Sequence, residues 1–384
     1  MSVRVAITLL GVLLCSTSTS AEDWQRVAYN HDVLAVDLGV GLWAYPLPMD
    51  YDGDGDEDLI SGNTAGYIGF IENLDGGDPP KWAKPVYLEA DGEVIRIMAG
   101  ENGSIQGPCE RKWGYTTFSV ADWDRDGLHD LVVNTIWGKV LWFRNVGAAR
   151  EPKLTTAQPV MVRWDGPPPK PAWTWWDPLP GELVTQWRTT PVVVDWTGDG
   201  LNDLVMLDHE GYLVLFERAG DGDQLVLMPP QRIFMTEGPS SFDQRHRVQD
   251  EHPGLLRLNT GEAGRSGRCK LSIVDLDRDG ALDILVNSLN VNILRQEGWR
   301  DGLVVLRDLG PVSGLVLAGH TTSPTTVDWD GDGVRDLLVG AEDGLFYVHR
   351  NPLADIAPPP DTTEPNAGVS FHSQVSSHKK ETAQ

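Results

Sequence analysis

The chain is poor in cysteine, in positive charge, in Phe and Tyr, and in long apolar runs. Its 384 residues hold three Cys, and only Cys109 and Cys269 lie beyond the N-terminal apolar stretch. No dense disulfide framework can therefore hold the fold. One bridge between those two, or two separate thiols, both remain open. Lys and Arg number 31 against 56 Asp and Glu, a formal net charge of -25. That balance argues against a nucleic-acid partner, which requires a basic footprint. It suits a secreted or cation-binding protein. No segment after the N-terminus is apolar for long enough to span a membrane. A Ser-His-Asp signature, a phosphate loop and a His-rich zinc motif are all missing. Asp and Glu are too common to single out a glycosidase pair.

Against these shortages stand fifteen Trp, with only eight Tyr and eight Phe. They fit packing between sheets, or stacking surfaces for a flat ligand such as a sugar. The N-terminus reads as a signal peptide over residues 1–21. Arg4 supplies the charge, "VAITLLGVLL" the apolar run and "STSTSA" the small-residue cleavage region. The expectation is cleavage after Ala21 and an extracellular or periplasmic location. Leu14 before Cys15 disfavours lipidation, which uses a small residue there.

One pattern recurs five times. "DYDGDGDEDL" starts at Asp50, "DWDRDGLHDL" at Asp122, "DWTGDGLNDL" at Asp195, "DLDRDGALDI" at Asp275 and "DWDGDGVRDL" at Asp328. The form is D-x-D-x-D-G-x-x-D-[LI], broken only where Thr197 replaces the second Asp. Oxygens at positions 1, 3 and 5 converge when the chain curls tightly. Gly at position 6 permits the turn, position 9 closes the site, and such hard oxygens suit Ca²⁺. The expected ligands are Asp50, Asp52, Asp54 and Asp58; Asp122, Asp124, Asp126 and Asp130; Asp195, Thr197, Asp199 and Asp203; Asp275, Asp277, Asp279 and Asp283; and Asp328, Asp330, Asp332 and Asp336. The Thr197 loop, short of one anion, should bind most weakly.

An EF-hand would continue into a helix. Here "DLISG", "DLVVN", "DLVML", "DILVN" and "DLLVG" follow, and these read as buried strands. A strand precedes each loop, another follows after a turn, and a fourth is visible in some units. Four antiparallel strands per unit without helical periodicity is a propeller blade. The pattern resembles the FG-GAP/VCBS repeats of integrin-type β-propellers over about residues 40–350. The literal Phe-Gly and Gly-Ala-Pro dipeptides are absent, so the likeness is to the VCBS-like form. It implies Ca²⁺ between the first and second strand of each blade, and no single function.

The expected fold is therefore all-β, a propeller over residues 22–351 with a disordered tail at 352–384. Five motifs suggest five blades, with six or seven as alternatives. The last unit has three strands, and "DWQRVAYN" could supply its outer strand and close the ring. Insertions at 98–115, 166–188 and 236–268 should share the face opposite the calcium loops. They gather Arg111, Trp113, Tyr115, Trp175, Trp176, Trp187, Arg188, His246, Arg268 and Lys270. Seven residues before each motif stand Trp43, Tyr115, Arg188, Arg268 and Thr321, with His320 one earlier; these should ring the pore mouth. The first functional expectation is a binding module for extracellular carbohydrate, an acidic polysaccharide above all, or another surface ligand. Alternatives are a polysaccharide lyase using these cations with Tyr115, His246 or His320, and a structural or adhesion propeller for a cell-surface protein.

Overall fold

The computed structural model describes residues 24–27, 43–220, 225–237, 254–259, 268–318 and 321–353. The leader, the tail beyond Leu353, His246 and His320 lie outside them. Among the described residues there is no α-helix, only one 3₁₀ turn at Pro108–Glu110.

The chain folds as a five-bladed β-propeller. Blade 1 runs outward through Tyr45–Met49, Asp58–Gly62, Ile68–Ile71 and Val86–Tyr87. Blade 2 uses Thr117–Ala121, Asp130–Asn134, Val140–Phe143 and Gln158–Pro159. Blade 3 has Val192–Val194, Asp203–Leu207 and Leu213–Phe216, its outer edge met by isolated bridges from Gln231 to Leu215 and from Arg257 to Tyr212. Blade 4 comprises Leu271–Val274, Asp283–Asn287, Val291–Arg300 and Leu303–Pro311, with Phe234–Glu237 added in parallel outside. Blade 5 takes Ser323–Val327, Asp336–Gly340 and Phe346–His349. Its outer strand is the N-terminal Trp24–Arg26, antiparallel to Phe346–His349. The first and last segments of the propeller thus close the ring on each other, as the sequence suggests.

The second strand of every blade is buried at all five positions. A strand covered on both faces reads as a continuous apolar run rather than an alternation. Five apolar cores fill the spaces between successive blades. Leu59 and Ile71 meet Leu338 and Val348. Ile60 and Ile68 meet Leu131 and Val133. Val132 and Val140 meet Leu204 and Val214. Val205 and Leu213 meet Ile284 and Val286. Leu285 and Ile293 meet Leu337 and Val339. The innermost strands carry Pro46, Pro48 and Pro324, which suits an inner edge where no ladder N–H is needed.

In four blades the residue ending the second strand meets the segment leading into the neighbouring blade's first strand. In blades 1 and 5 it is Gly62 and Gly340. A Cβ on Gly340 would lie 2.2 Å from the Ala44 carbonyl oxygen, and one on Gly62 would lie 2.6 Å from that of Thr116. In blade 2 it is Asn134, whose amide donates to the carbonyls of Gln186 and Thr189, both at 2.9 Å. In blade 4 it is Asn287, which donates to Thr321 and accepts the N–H of Lys270 at 2.7 Å. The recurring Gly or Asn therefore joins one blade to the next beside the axis.

Candidate functional site

Two faces carry distinct chemistry. On one, each acidic motif forms a tight turn. Position 6 is left-handed in all five, at Gly55, Gly127, Gly200, Gly280 and Gly333. So is position 4, even where it is Arg125 or Arg278. The Asp at position 9 is buried in every blade, and its role is partly mechanical. Asp130 accepts the N–H of Trp123 at 3.2 Å and of Asn145 at 2.6 Å. Asp58 binds Tyr51 and Asn73 in the same way, Asp203 binds Trp196 and Arg218, and Asp283 binds Leu276 and Gln296. Asp336 accepts the N–H of Asn351 and the Arg350 guanidinium, each at 3.0 Å. This Asp ties the turn to the end of the third strand. Burial pushes Asp58 and Asp283 up to about 7 and Asp130 and Asp203 up to about 6, outweighing the backbone donors.

Four of the turns could hold a metal ion. Carboxylate oxygens of Asp50, Asp52 and Asp58 come within 4.8 Å of one another, as do those of Asp122, Asp124 and Asp126, of Asp275, Asp277 and Asp279, and of Asp328, Asp330 and Asp332. One Oδ1 of the leading Asp is buried without a hydrogen-bond partner in each: Asp50, Asp122, Asp275 and Asp328. A buried carboxylate oxygen with no donor is costly, and a dication supplies what it lacks. The third turn departs from this. Asp195 Oδ1 accepts the N–H groups of Gly198 and Asp199, and Oδ2 that of Gly200. With Thr197 in place of an acid, the turn closes on its own backbone, and Thr197 Oγ1 is left unpartnered.

On the opposite face the first two insertions meet, while the third, at 236–268, lies mostly outside the described residues. Ala99 and Tyr115 from the first and Trp176 and Val184 from the second pack with Ile136 and Trp137 of the blade 2 turn. One cavity at the mouth of the axis is lined by Trp43, Tyr115, Arg188, Arg268 and Thr321, the five positions seven residues before the motifs, together with Thr116, Lys270 and Ser323. Four of the five are left-handed: Trp43 (φ 59°), Tyr115 (φ 50°), Arg188 (φ 54°) and Arg268 (φ 70°). That conformation costs a non-glycine residue about 1–2 kcal/mol and persists only where surroundings hold it. Here each insertion turns sharply into an innermost strand.

Arg188 is fully buried. Its guanidinium lies 3.7 Å from the Tyr115 ring centroid and 4.8 Å from that of Trp187, and its Nη2 pairs with Glu110. Burial lowers it to about 10, with Glu110 opposing. Glu110 also accepts from Ser104 and, at 3.3 Å, from the Tyr115 hydroxyl. The Gln106 amide, oriented to satisfy its neighbours, donates to Glu110 at 2.8 Å and accepts from Arg268 Nη2 at 2.9 Å. The Arg268 guanidinium lies 5.5 Å from the Trp43 ring. Lys270 is only 7% exposed, and burial, reinforced by Arg188 and Arg268, pushes it down to about 7. Burial likewise raises the Tyr115 phenol to about 12.

The remaining sequence candidates divide. Trp113 (41% exposed) packs its ring edge-to-face on Tyr115, and Trp175 (51%) packs similarly on Trp137; both reach solvent, as does Arg111. Trp176 and Trp187 are buried and are not stacking platforms. Trp176 donates to the Trp137 carbonyl and lies under Lys139. Most of the Trp excess serves packing. Trp123, Trp196 and Trp329, at motif position 2, fill the spaces between blades. Glu110 and Gln106 were not foreseen, because a lone acid in an acidic chain gives no signal. Cys109 is exposed and Cys269 buried, both as free thiols. Among the described residues, no helix is long and apolar enough to cross a membrane.

These features define the class: a five-bladed propeller with metal-competent turns on one face and a cation-lined axial cavity on the other. No protein-family model matches the chain, and no curated protein sequence does. Among solved structures, a lectin of Agrocybe aegerita described as recognising non-reducing terminal N-acetylglucosamine aligns at 16% identity and TM-score 0.33, covering 80% of this chain and 63% of its own. A periplasmic gluconolactonase of Pseudomonas aeruginosa aligns at 17% and 0.33, covering 78% and 65%. Sqt1 of Saccharomyces cerevisiae aligns at 10% and 0.32, covering 76% and 80%. The chain thus spans less than two thirds of the first two, and none of the three lends it a ligand or an activity.

Proposed function

We propose that the protein is a secreted, calcium-stabilised β-propeller of the FG-GAP/VCBS type that binds acidic carbohydrate on its insertion face. One observation carries the ligand class. On a chain of net charge -25, Arg188, Arg268 and Lys270 converge on one cavity with Trp43 and Tyr115, and among the described residues the acid Glu110 pairs with Arg188 alone. Aromatic faces stack on sugar rings, and Arg and Lys recognise carboxylate or sulfate. The leader supports export, and the orphaned Oδ1 atoms support a hard dication such as Ca²⁺.

The test is a glycan array read at several salt concentrations. Acidic glycans should bind and neutral ones should not, and binding should weaken as salt screens exposed charge. Arg268→Ala and Trp113→Ala should reduce binding and leave the fold intact. Arg188→Ala is a poor probe, since breaking its buried ion pair costs about 3–5 kcal/mol of stability. No acidic glycan retained at low salt would refute the reading. A lyase is favoured by Lys270, which titrates near neutrality beside two guanidinium groups and so has the character of a base. Tyr115 is ill suited to that role, being raised and bonded to Glu110. Growth of unsaturated-uronate absorbance on incubation with the bound glycan would decide for the lyase.

A further inference from the structure

Among the described residues, the charged groups around the axis do not balance. Three cationic side chains, Arg188, Arg268 and Lys270, line the cavity. One carboxylate, Glu110, pairs with Arg188 alone. A buried charge needs a partner or must be neutralised, at a cost of several kcal/mol otherwise.

We propose that the axial cavity is a binding site for one compact anion, a carboxylate or sulfate group, held by Arg188 and Lys270. This deepens the acidic-carbohydrate reading by naming the group that enters the axis. It rests on that reading only for the source of the anion. Arg188 has five N–H donors, and Glu110 engages only its Nη2. Its Nε and Nη1 are buried and have no acceptor. The Tyr115 and Trp187 rings lie close to the guanidinium at 3.7 and 4.8 Å, so it cannot swing toward solvent without losing both contacts. Lys270 forms no ion pair among the described residues, and its nearest aromatic contact is the Tyr45 ring at 6.0 Å. Loss of the Lys270 proton would relieve one charge but would leave both Arg188 donors unmet.

Size sets the class of ligand. The space has room for about one water. That admits the leading oxygen of a carboxylate or sulfate whose remaining atoms stay at the mouth, and it excludes a sugar ring. Ser323 lines the same space and adds a hydroxyl, while the hydroxyls of Thr116 and Thr321 already donate to backbone carbonyls. A single trapped water could meet one or two of the donors but would leave the charge unbalanced. The ring of an acidic sugar would then stay outside, against Trp43 and Trp113, with its charged group inserted end-on.

The experiment is thermal unfolding and calorimetric titration of the full chain with sodium sulfate and sodium acetate. Ionic strength is held constant with sodium chloride, and the response in chloride alone is the baseline. A saturable, one-to-one stabilisation is expected, following the linkage relation for a ligand bound only by the folded state. Lys270→Met should weaken the apparent affinity about tenfold or more, the worth of a hydrogen bond to a charged group. Arg188→Met should abolish it, and if that variant fails to fold, Lys270→Met carries the test. No response to either anion, or an equal response in Lys270→Met, overturns the proposal and leaves the cavity to water. Competition separates the sources. Acidic glycan displaced by sulfate places the glycan's own charged group in the cavity. Sulfate binding without any glycan binding sustains the anion site and removes the carbohydrate reading. Glycan binding that is indifferent both to sulfate and to Lys270→Met removes the anion site and keeps the carbohydrate reading.

Discussion

At the scale of single residues, two buried ionisable groups act in opposite ways. Asp203 accepts backbone N–H groups from Trp196, Thr197 and Arg218, and the turn it braces has closed on itself. Its effect on stability can therefore be measured apart from any metal. Asp203→Asn should cost about 1–3 kcal/mol, because an amide cannot satisfy all three donors. Urea unfolding should show the same loss with and without chelator; a loss seen only without chelator would mean the residue acts through a bound ion. Lys270 stands at a cost to the fold. Burial and its cationic neighbours hold it at about 7, against roughly 10.4 in an unfolded chain. Below pH 7 both states carry the proton, and the cost of burying the charge is fully present. Between about pH 7 and pH 10 only the unfolded chain keeps it, so stability should rise with pH across that window. The pH profile of Lys270→Met should lack this rise. Superimposable profiles would show that Lys270 does not titrate there.

At the scale of the element, the five acidic turns share one sequence pattern and differ in what already occupies them. In turns 1 and 4 the leading Asp has a free buried oxygen, and no Arg ion pair to the turn is present among the described residues. In turn 2, Arg144 pairs with Asp124 at 2.5 Å and Asp126 at 3.1 Å; in turn 5, Arg350 pairs with Asp330 at 2.9 Å. A cation entering turn 2 or 5 must share a carboxylate with a guanidinium or displace it. Turn 3 offers its leading carboxylate to backbone donors only. We therefore expect four calcium ions per chain rather than five, with turns 1 and 4 filling first. Metal analysis after dialysis should show the loss of one equivalent in Asp275→Asn and none in Asp195→Asn. Chelation should lower the melting temperature, since each ion bound at a hundred times its Kd adds about 2.7 kcal/mol. Five equivalents in the wild type, or an unmoved melting temperature in verified metal-free protein, would contradict this.

At the scale of the molecule, stability depends on a closed ring. Each blade hides its faces against two neighbours, so the cooperative unit is the circle of five cores. The seam lies in blade 5, where Trp24–Arg26 pairs with Phe346–His349 and Val27 enters the core shared with blade 1. Removing the chain through Val27 would expose the edge of Phe346–His349 and open that core. A loss of at least the ~1.5–3 kcal/mol of a buried Val is expected, with concentration-dependent self-association along the bared edge. Sedimentation of the truncated chain beside the intact one tests this. A stable monomer would show that the seam contributes little.

Periodicity and turn chemistry are local, and they were legible in the linear chain. The ten-residue pattern of Asp and Gly specifies each turn, the apolar run after it specifies a fully covered strand, and five copies specify five blades. Even the ring of Trp43, Tyr115, Arg188, Arg268 and Thr321 could be read, because equal offsets from a repeated motif mean equal places in a symmetric fold. Burial is not local. Whether Trp187 faces a ligand or the core, and whether Trp175 is exposed while Trp176 is buried, depends on which distant segments lie above them. The pairing of Glu110 with Arg188 joins residues 78 apart in the chain, and no spacing rule links them. The closure of the third turn likewise turns on the hydrogen bonds Asp195 finds once folded. Contacts of this kind exist only after the blades have met, and they separate the residues that build the cavity from those that are left to act in it.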